Sequence, residues 1–257
     1  MTDSRSPIRS LVKKVVPQAL LAVRHRWRLG RSIKRVDKDL SGMSVSEIFS
    51  EIYRRQLWGK PAGDRQFSSG HGSVMEQHVA PYVAAVGRYV EGLGWKPSVV
   101  DMGCGDFNVG NRIRQYFGTY VACDVAREVL EENKVRYSNL DVEFRQLDII
   151  SDDFPDADVC IIRQVLQHLS NADISQIVKK LHKFQILILT EPLPKSEFTP
   201  NLDQPTGVSS RLARGIPSGV VLTKPPFSLQ VTSSEEICST MDDFSNARLV
   251  TTAFRLK

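Results

Sequence analysis

The sequence predicts an α/β fold: a doubly wound, mostly parallel sheet with helices on both faces. Three observations lead there. Strand-like apolar runs alternate with helical patterns over residues 98–190. The run at 184–190 is apolar almost throughout, as expected of a central parallel strand covered on both faces. The first run ends Val99-Val100-Asp101-Met102-Gly103-Cys104-Gly105 and leads into a helix-like segment, which reads as strand, tight turn and helix start. Glycine is needed in such a turn where φ is positive or where a ligand approaches the backbone closely. The unpaired N–H groups of the helix start would then favour the polar, anionic end of a small ligand.

Length and composition set the frame. The 257 residues suit one domain of sizeable core with extensions. Cys104, Cys123, Cys160 and Cys238 lie far apart with no C-x-x-C pair, which argues against metal or disulfide use and for a reducing compartment. No apolar run approaches the roughly 20 residues of a membrane span. The overall charge of +5 divides into +8 over residues 1–40 and −3 over the rest. The basic balance therefore belongs to a leader, and a nucleic-acid footprint across the body is not indicated. Residues 1–43 are read as a basic N-terminal extension. Its Arg-rich, acid-poor composition suits a solvated arm, a transit segment or contact with an anionic membrane surface.

The rest, 44–257, reads as one domain. From Ser44 a helix buries Ile48, Phe49, Ile52 and Tyr53 on one face and closes at Trp58-Gly59. The loop Ser68-Ser69-Gly70-His71-Gly72-Ser73 has the small residues that let backbone N–H groups converge on an anion. A second helix carries Val79, Tyr82, Val83 and Val86, with Pro81 starting or kinking it. Residues 44–97 form, on this reading, a helical lid ahead of the sheet. After the glycine turn, Ile113, Tyr116 and Phe117 mark a helix face. Strands follow at 120–124 and 142–146, separated by a charged helix at 127–137. Asp152, Asp153, Asp156 and Asp158 read as a solvated turn, with no metal expected. The fourth strand, 158–162, runs into Arg163-Gln164-Val165-Leu166-Gln167-His168-Leu169. Ser170 or Asn171 then caps a helix with Ile174, Ile177, Val178 and Leu181 on its buried stripe. The fifth strand ends at Glu191-Pro192. An irregular insertion, 193–231, rich in Pro, Gly and Ser, follows it. Thr232 or Ser233 is expected to cap a short helix through Met241, and 247–256 is the last strand.

The stretch from Asp101 to Phe107 resembles motif I of the class I S-adenosylmethionine-dependent methyltransferases, acid-x-G-x-G-x-G. Phe107 stands at the third glycine, where it is expected to wall the pocket. The resemblance spans about residues 98–191 and includes the V-L-x-H-L segment at 165–169. It implies a Rossmann-like sheet of seven strands whose last two form an antiparallel pair, and S-adenosyl-L-methionine as cofactor. Asp101, Gly103 and Gly105 would then shape the cleft. Asp124, at the end of the second strand, would accept from the ribose hydroxyls. Asp148 would accept from the adenine amino group, and Ile149 would flank the ring. Arg163 would hold the cofactor carboxylate or the acceptor, and Ser69 and Gly70 would close over the cofactor.

The flanks, Tyr53 to Trp58 with Ser69 to Ser73 and Asn201-x-Asp203 with Pro225-Pro226-Phe227, are similar to those of bacterial sugar and glycolipid O-methyltransferases. The resemblance implies a small-molecule, saccharide or glycolipid acceptor, with the insertion 193–231 covering the acceptor site. A hydroxyl acceptor needs a base. His168 is the first candidate, Asp203 the second and Glu191 the third. The expected setting is cytoplasmic, with peripheral membrane contact through residues 1–40. Two rival readings are a nicotinamide-dependent oxidoreductase, disfavoured by Asn108 at the third glycine of G-x-G-x-x-G, and a non-catalytic cofactor-binding module docking through the basic leader.

Overall fold

The computed structural model describes residues 35–242 and 247–257. The chain divides into two units, residues 1–41 and 42–257. In the first, residues 35–39 are helical. Residues 1–34, on which the membrane-surface and transit readings fall, lie outside the described residues. No described helix is long and apolar enough to cross a membrane.

The second unit opens with α1 (Val45–Arg54), capped at Ser44 by a reciprocal pair with Glu47 and buried through Ile48, Phe49, Ile52 and Tyr53. A single turn, α2 (His71–Val74), precedes α3 (Glu76–Glu91). Pro81 lies inside α3 and does not start it. Then come β1 (Val99–Met102), α4 (Gly110–Ile113), β2 (Tyr120–Asp124), α5 (Arg127–Arg136), β3 (Glu143–Gln146), β4 (Val159–Arg163), α6 (Asn171–Lys180), β5 (Ile186–Pro194), β6 (Val231–Asp242) and β7 (Ala247–Leu256). The expected helix after the glycine turn breaks after four residues into a 3-10 turn, Arg114–Tyr116. Ile113 and Phe117 are nevertheless buried.

The seven strands form one sheet in the order β3-β2-β1-β4-β5-β7-β6. β1 to β5 pair in parallel, while β7 runs antiparallel to both β5 and β6. Register brings the C-terminal ends of the parallel strands level: Met102 faces Cys123 on one side and Ile162 on the other. The crevice outside those ends, beside β1, is where ligands bind in open α/β sheets.

Two expectations are corrected. The segment after Thr232 is strand β6, not a helix. Its pairing with β7 shifts register at Val231/Ser233 and again at Glu236/Cys238. Bulges of this kind break the two-residue alternation by which a strand is read. Phe107 does not wall a pocket. It is fully buried and packs edge-on against Tyr120, Tyr137 and Phe144. Its φ of 54° keeps the left-handed backbone a third glycine would supply. Space for the ring comes from Gly110, where a Cβ would lie 2.2 Å from Phe107 Cε2.

Gly110→Ala should therefore destabilise the fold by about 1–3 kcal/mol through overpacking. In a Phe107→Leu background the same change should cost far less. Equal costs in both backgrounds, by urea denaturation, would separate Gly110 from the ring.

Candidate active site

The turn after β1 consumes its own donors. Gly103 N and Cys104 N donate to the Cys123 carbonyl at 2.8 and 2.9 Å. Gly105 N donates to Asp124 Oδ2 at 2.9 Å, Asp106 N to Ser69 Oγ at 2.8 Å, and Phe107 N to the Cys104 carbonyl at 3.1 Å. The expected cradle of N–H groups for an anion is thus not what the turn offers. It offers close approach. φ is +74° at Gly103 and +53° at Gly105, and a Cβ would meet Val165 Cγ2 at 2.4 Å and Ser69 Oγ at 2.2 Å respectively.

The acids at the strand ends have different surroundings. Asp124 is buried; its Oδ1 accepts from Ala126 N at 3.0 Å and its Oδ2 from Gly105 N, with the Val125 N–H also on the carboxylate, so of its roughly four acceptor sites one stays open. Burial raises its pKa, and the N–H groups of Ala126 and Gly105 oppose that shift. Asp101 is also buried. Its Oδ2 takes the Tyr120 hydroxyl at 2.9 Å, and burial pushes its pKa up to about 6. Asp101 therefore braces β1 against β2 from within. Asp148, half-buried after β3, accepts from Ile150 N at 2.8 Å beside buried Ile149.

The N-terminal segment lies over the turn. Ser69 N donates to Asp106 Oδ2 at 3.3 Å, and the Ser69 hydroxyl meets that of Tyr53 at 3.4 Å. Gly70 adopts φ 87°, with its N–H on Ser68 Oγ at 3.3 Å. Arg65 reaches Asn108 Oδ1 at 2.8 Å, and Asn108 Nδ2 donates to the Ser73 carbonyl at 2.5 Å. At the end of β4, Arg163 Nη2 donates to the Gly72 carbonyl at 2.7 Å, with the guanidinium 4.9 Å above the Tyr82 ring. Its Nε is buried with no hydrogen-bond partner among the described residues.

His168 ends the 3-10 turn Leu166–His168, its ring 5.0 Å from that of Trp58. Trp58 Nε1 is tied to the Val208 carbonyl at 3.0 Å, so a helix end and the insertion meet at the imidazole. Burial lowers the His168 pKa to about 4, against the opposing pull of hydrogen bonds to the backbone of Gly207 and Val208. Nδ1 is buried without a partner among the described residues, which leaves those bonds to Nε2. The ring is thus neutral near pH 7, with an acceptor nitrogen free.

The other two base candidates are engaged elsewhere. Glu191 is buried, with Oε1 on Leu166 N at 2.9 Å and Oε2 on Gln167 N at 3.1 Å; burial raises its pKa to about 8. Asp203 is exposed, and its Oδ1 accepts from Asn171 N at 2.7 Å and Gln204 N at 2.8 Å, holding the start of α6 to the insertion.

Asp101, Gly103, Gly105, Asp124 and Ser69 thus lie around one turn, with Asp148 two residues past β3, Arg163 at the end of β4 and His168 in the 3-10 turn after it. Sequence reasoning missed Asn133, whose buried Nδ2 donates to the Gly105 carbonyl at 2.7 Å. Its signal is faint: the one uncharged polar residue of its helix, three residues after Leu130.

With this geometry in view, residues 99–184 match a family model described as a methyltransferase domain. No curated protein sequence matches the chain. Among solved structures the chain is similar to the N-methyltransferase NodS from Bradyrhizobium japonicum WM9 in complex with S-adenosyl-L-homocysteine, with a TM-score of 0.58 at 10% identity, covering 81% of this chain and 98% of that one. It is also similar to magnesium protoporphyrin IX methyltransferase (ChlM) from Synechocystis PCC 6803 with bound SAM, with a TM-score of 0.53 at 15% identity and coverage of 84% and 99%. Human N-acetylserotonin methyltransferase in complex with SAM gives 0.54 at 15%, with coverage of 90% and 66%. The fold is that of the class I methyltransferases.

Gly105→Ala should push Ser69 and the 60–74 segment off the turn, since both the added Cβ and the positive φ oppose it. Limited proteolysis should cut residues 60–74 faster in this variant than in the wild type. Unchanged cleavage would show that the segment does not depend on the bare glycine.

Proposed function

We propose that this chain, which carries a methyltransferase domain on the class I fold with S-adenosylmethionine as its cofactor, transfers the methyl group to a hydroxyl of a small acceptor. A sugar or glycolipid is the acceptor class that the flanking segments favour. The observation that supports the cofactor assignment is the Gly105–Asp124 junction inside the matched segment: a bare turn at which backbone approaches closely, fixed to a buried carboxylate that keeps an acceptor site open. On this reading Asp124 holds the ribose, Asp148 and Ile149 the adenine, and Ser69 and Gly70 cover the cofactor. The Nε of Arg163, without a partner among the described residues, suits the cofactor carboxylate. Asp101 acts by bracing the turn.

The nicotinamide alternative has less support. A dinucleotide fold of this type continues its parallel order to a sixth strand, whereas here antiparallel β7 lies between β5 and β6. The third glycine of that fingerprint is also Asn108, which is spent on Ser73 and Arg65.

When bound, the cofactor supplies a methyl group on a sulfonium, already a strong electrophile. The protein aligns acceptor and methyl, which in model systems lowers barriers by up to roughly 7–11 kcal/mol. His168 Nδ1 takes the proton of the acceptor hydroxyl, because Glu191 and Asp203 are committed to backbone donors. Trp58, against the ring, and the 201–208 strap wall the acceptor side.

Three measurements test this. Asp124→Ala should abolish cofactor binding in calorimetry; retained affinity would remove Asp124 from the ribose role. His168→Ala should keep cofactor affinity and lower turnover by about 10²–10⁴-fold, read as label transfer from the cofactor into cell-extract acceptors identified by mass. Because the His168 pKa is lowered to about 4, its base form persists on acidification, and turnover should hold between pH 7 and 6, below the range in which Glu191 titrates. A fall centred near 6.5 in that range would contradict the buried, neutral ring.

A further inference from the structure

The turn that presents His168 is three residues long and makes few bonds of its own, His168 N to the Val165 carbonyl at 3.0 Å and Leu169 N to that of Leu166 at 3.1 Å. A 3-10 turn this short has poor internal geometry and is a weak platform for a ring that must be placed closely. Here its main chain is gripped from both sides. Glu191, on β5, accepts the N–H groups of Leu166 and Gln167.

The insertion takes the carbonyls. Arg211 Nη1 donates to Leu166 O at 3.4 Å and Nη2 to Leu169 O at 3.3 Å, while Gln204 Nε2 donates to Gln167 O at 2.5 Å and Gly207 N to His168 O at 2.9 Å. All four carbonyls from 166 to 169 therefore accept from residues 204–211. The same guanidinium reaches Asn171 Oδ1 at 2.8 Å and, through Nε, Leu202 O at 2.7 Å.

Arg211 is 2% exposed. Burying a guanidinium is costly, and an apolar side chain would fill such a space more cheaply. What the apolar residue lacks is a planar fork of five donors able to join three chain segments at once. Glu191 and Arg211 thus hold complementary groups of one turn, the first its N–H groups and the second its carbonyls.

We propose that Arg211 and Glu191 are positioning residues that jointly fix the 166–169 turn and thereby the place and tautomer of the His168 ring. The insertion is then part of the catalytic apparatus and more than a cover over the acceptor. This rests on the reading of His168 as base. It makes Glu191 an indirect participant: the carboxylate never reaches the acceptor but holds the N–H groups beneath the base.

The test is nitrogen NMR of the full chain labelled at histidine, with the His168 signals assigned from a His168→Gln variant. The wild type should show one neutral tautomer at pH 7, protonated on Nε2. Arg211→Met and Glu191→Gln should each shift these signals and mix the tautomers, and Arg211→Lys, which keeps the charge but loses the fork, should lie between. Calorimetric cofactor binding reports that the cleft is intact. A folded Arg211→Met or Glu191→Gln protein with wild-type His168 signals would overturn the proposal. Should Arg211→Met not fold, Glu191→Gln, a near-isosteric change, decides alone. The two readings fail separately. Unmoved signals in a chain that loses turnover on His168→Ala defeat the clamp and spare the base; full turnover in His168→Ala defeats the base whatever the spectrum shows.

Discussion

The hydrogen bond from Gly105 N–H to Asp124 Oδ2 is the constraint on which the rest of the site depends. It joins the turn after β1 to the end of β2, two strands that register brings to the same level. Gly105 is held on three sides: its N–H by Asp124, its carbonyl by Asn133 of α5, and its Cα face by Ser69. A hydrogen bond to a charged group of this kind contributes about 1.5–3 kcal/mol. Without it the glycine turn would lose its shape, and Ser69, and with it the N-terminal segment, would lose its seat.

Much of this was legible in the sequence because it is local. β2 and β7 begin and end where apolar patterning and an acid or turn mark them, and α1 where Ser44 and Glu47 form their capping pair. Asp101, Gly103, Gly105 and Asp124 were expected together from the resemblance of their strand–turn–helix–strand unit to a methyltransferase motif, and they do lie around one turn and its neighbouring strand. What was not legible depends on partners distant in the chain. β6 reads as a capped helix until its bulged pairing with β7 is known. Phe107 reads as a pocket wall until Tyr120, Tyr137 and Phe144 are seen around it. Asp101 reads as a ligand residue, but the Tyr120 hydroxyl claims it.

The insertion shows the same limit more sharply. Residues 195–230 contain no helix or strand, so no periodicity betrays their order. Their order comes from side chains that replace a backbone ladder. Asn201 accepts from Val221 N and donates to the carbonyls of Val221, Lys224 and Pro225, closing one end. Arg211 and Gln204 close the other onto the His168 turn. Of the three base candidates in the sequence, Glu191 and Asp203 are held by backbone N–H groups, and on the proposed reading His168 is the base, with Glu191 and Arg211 as its supports.

The measurement closest to the central claim is a calorimetric cycle. S-adenosylhomocysteine and its 2′,3′-dideoxy analogue would each be titrated into the wild-type chain and into Asp124→Asn. If Asp124 grips the ribose, the analogue should bind the wild type at least about tenfold more weakly, the equivalent of about 1.4 kcal/mol, and the difference should shrink in Asp124→Asn. Equal affinity of the wild type for both ligands would contradict the account at its root.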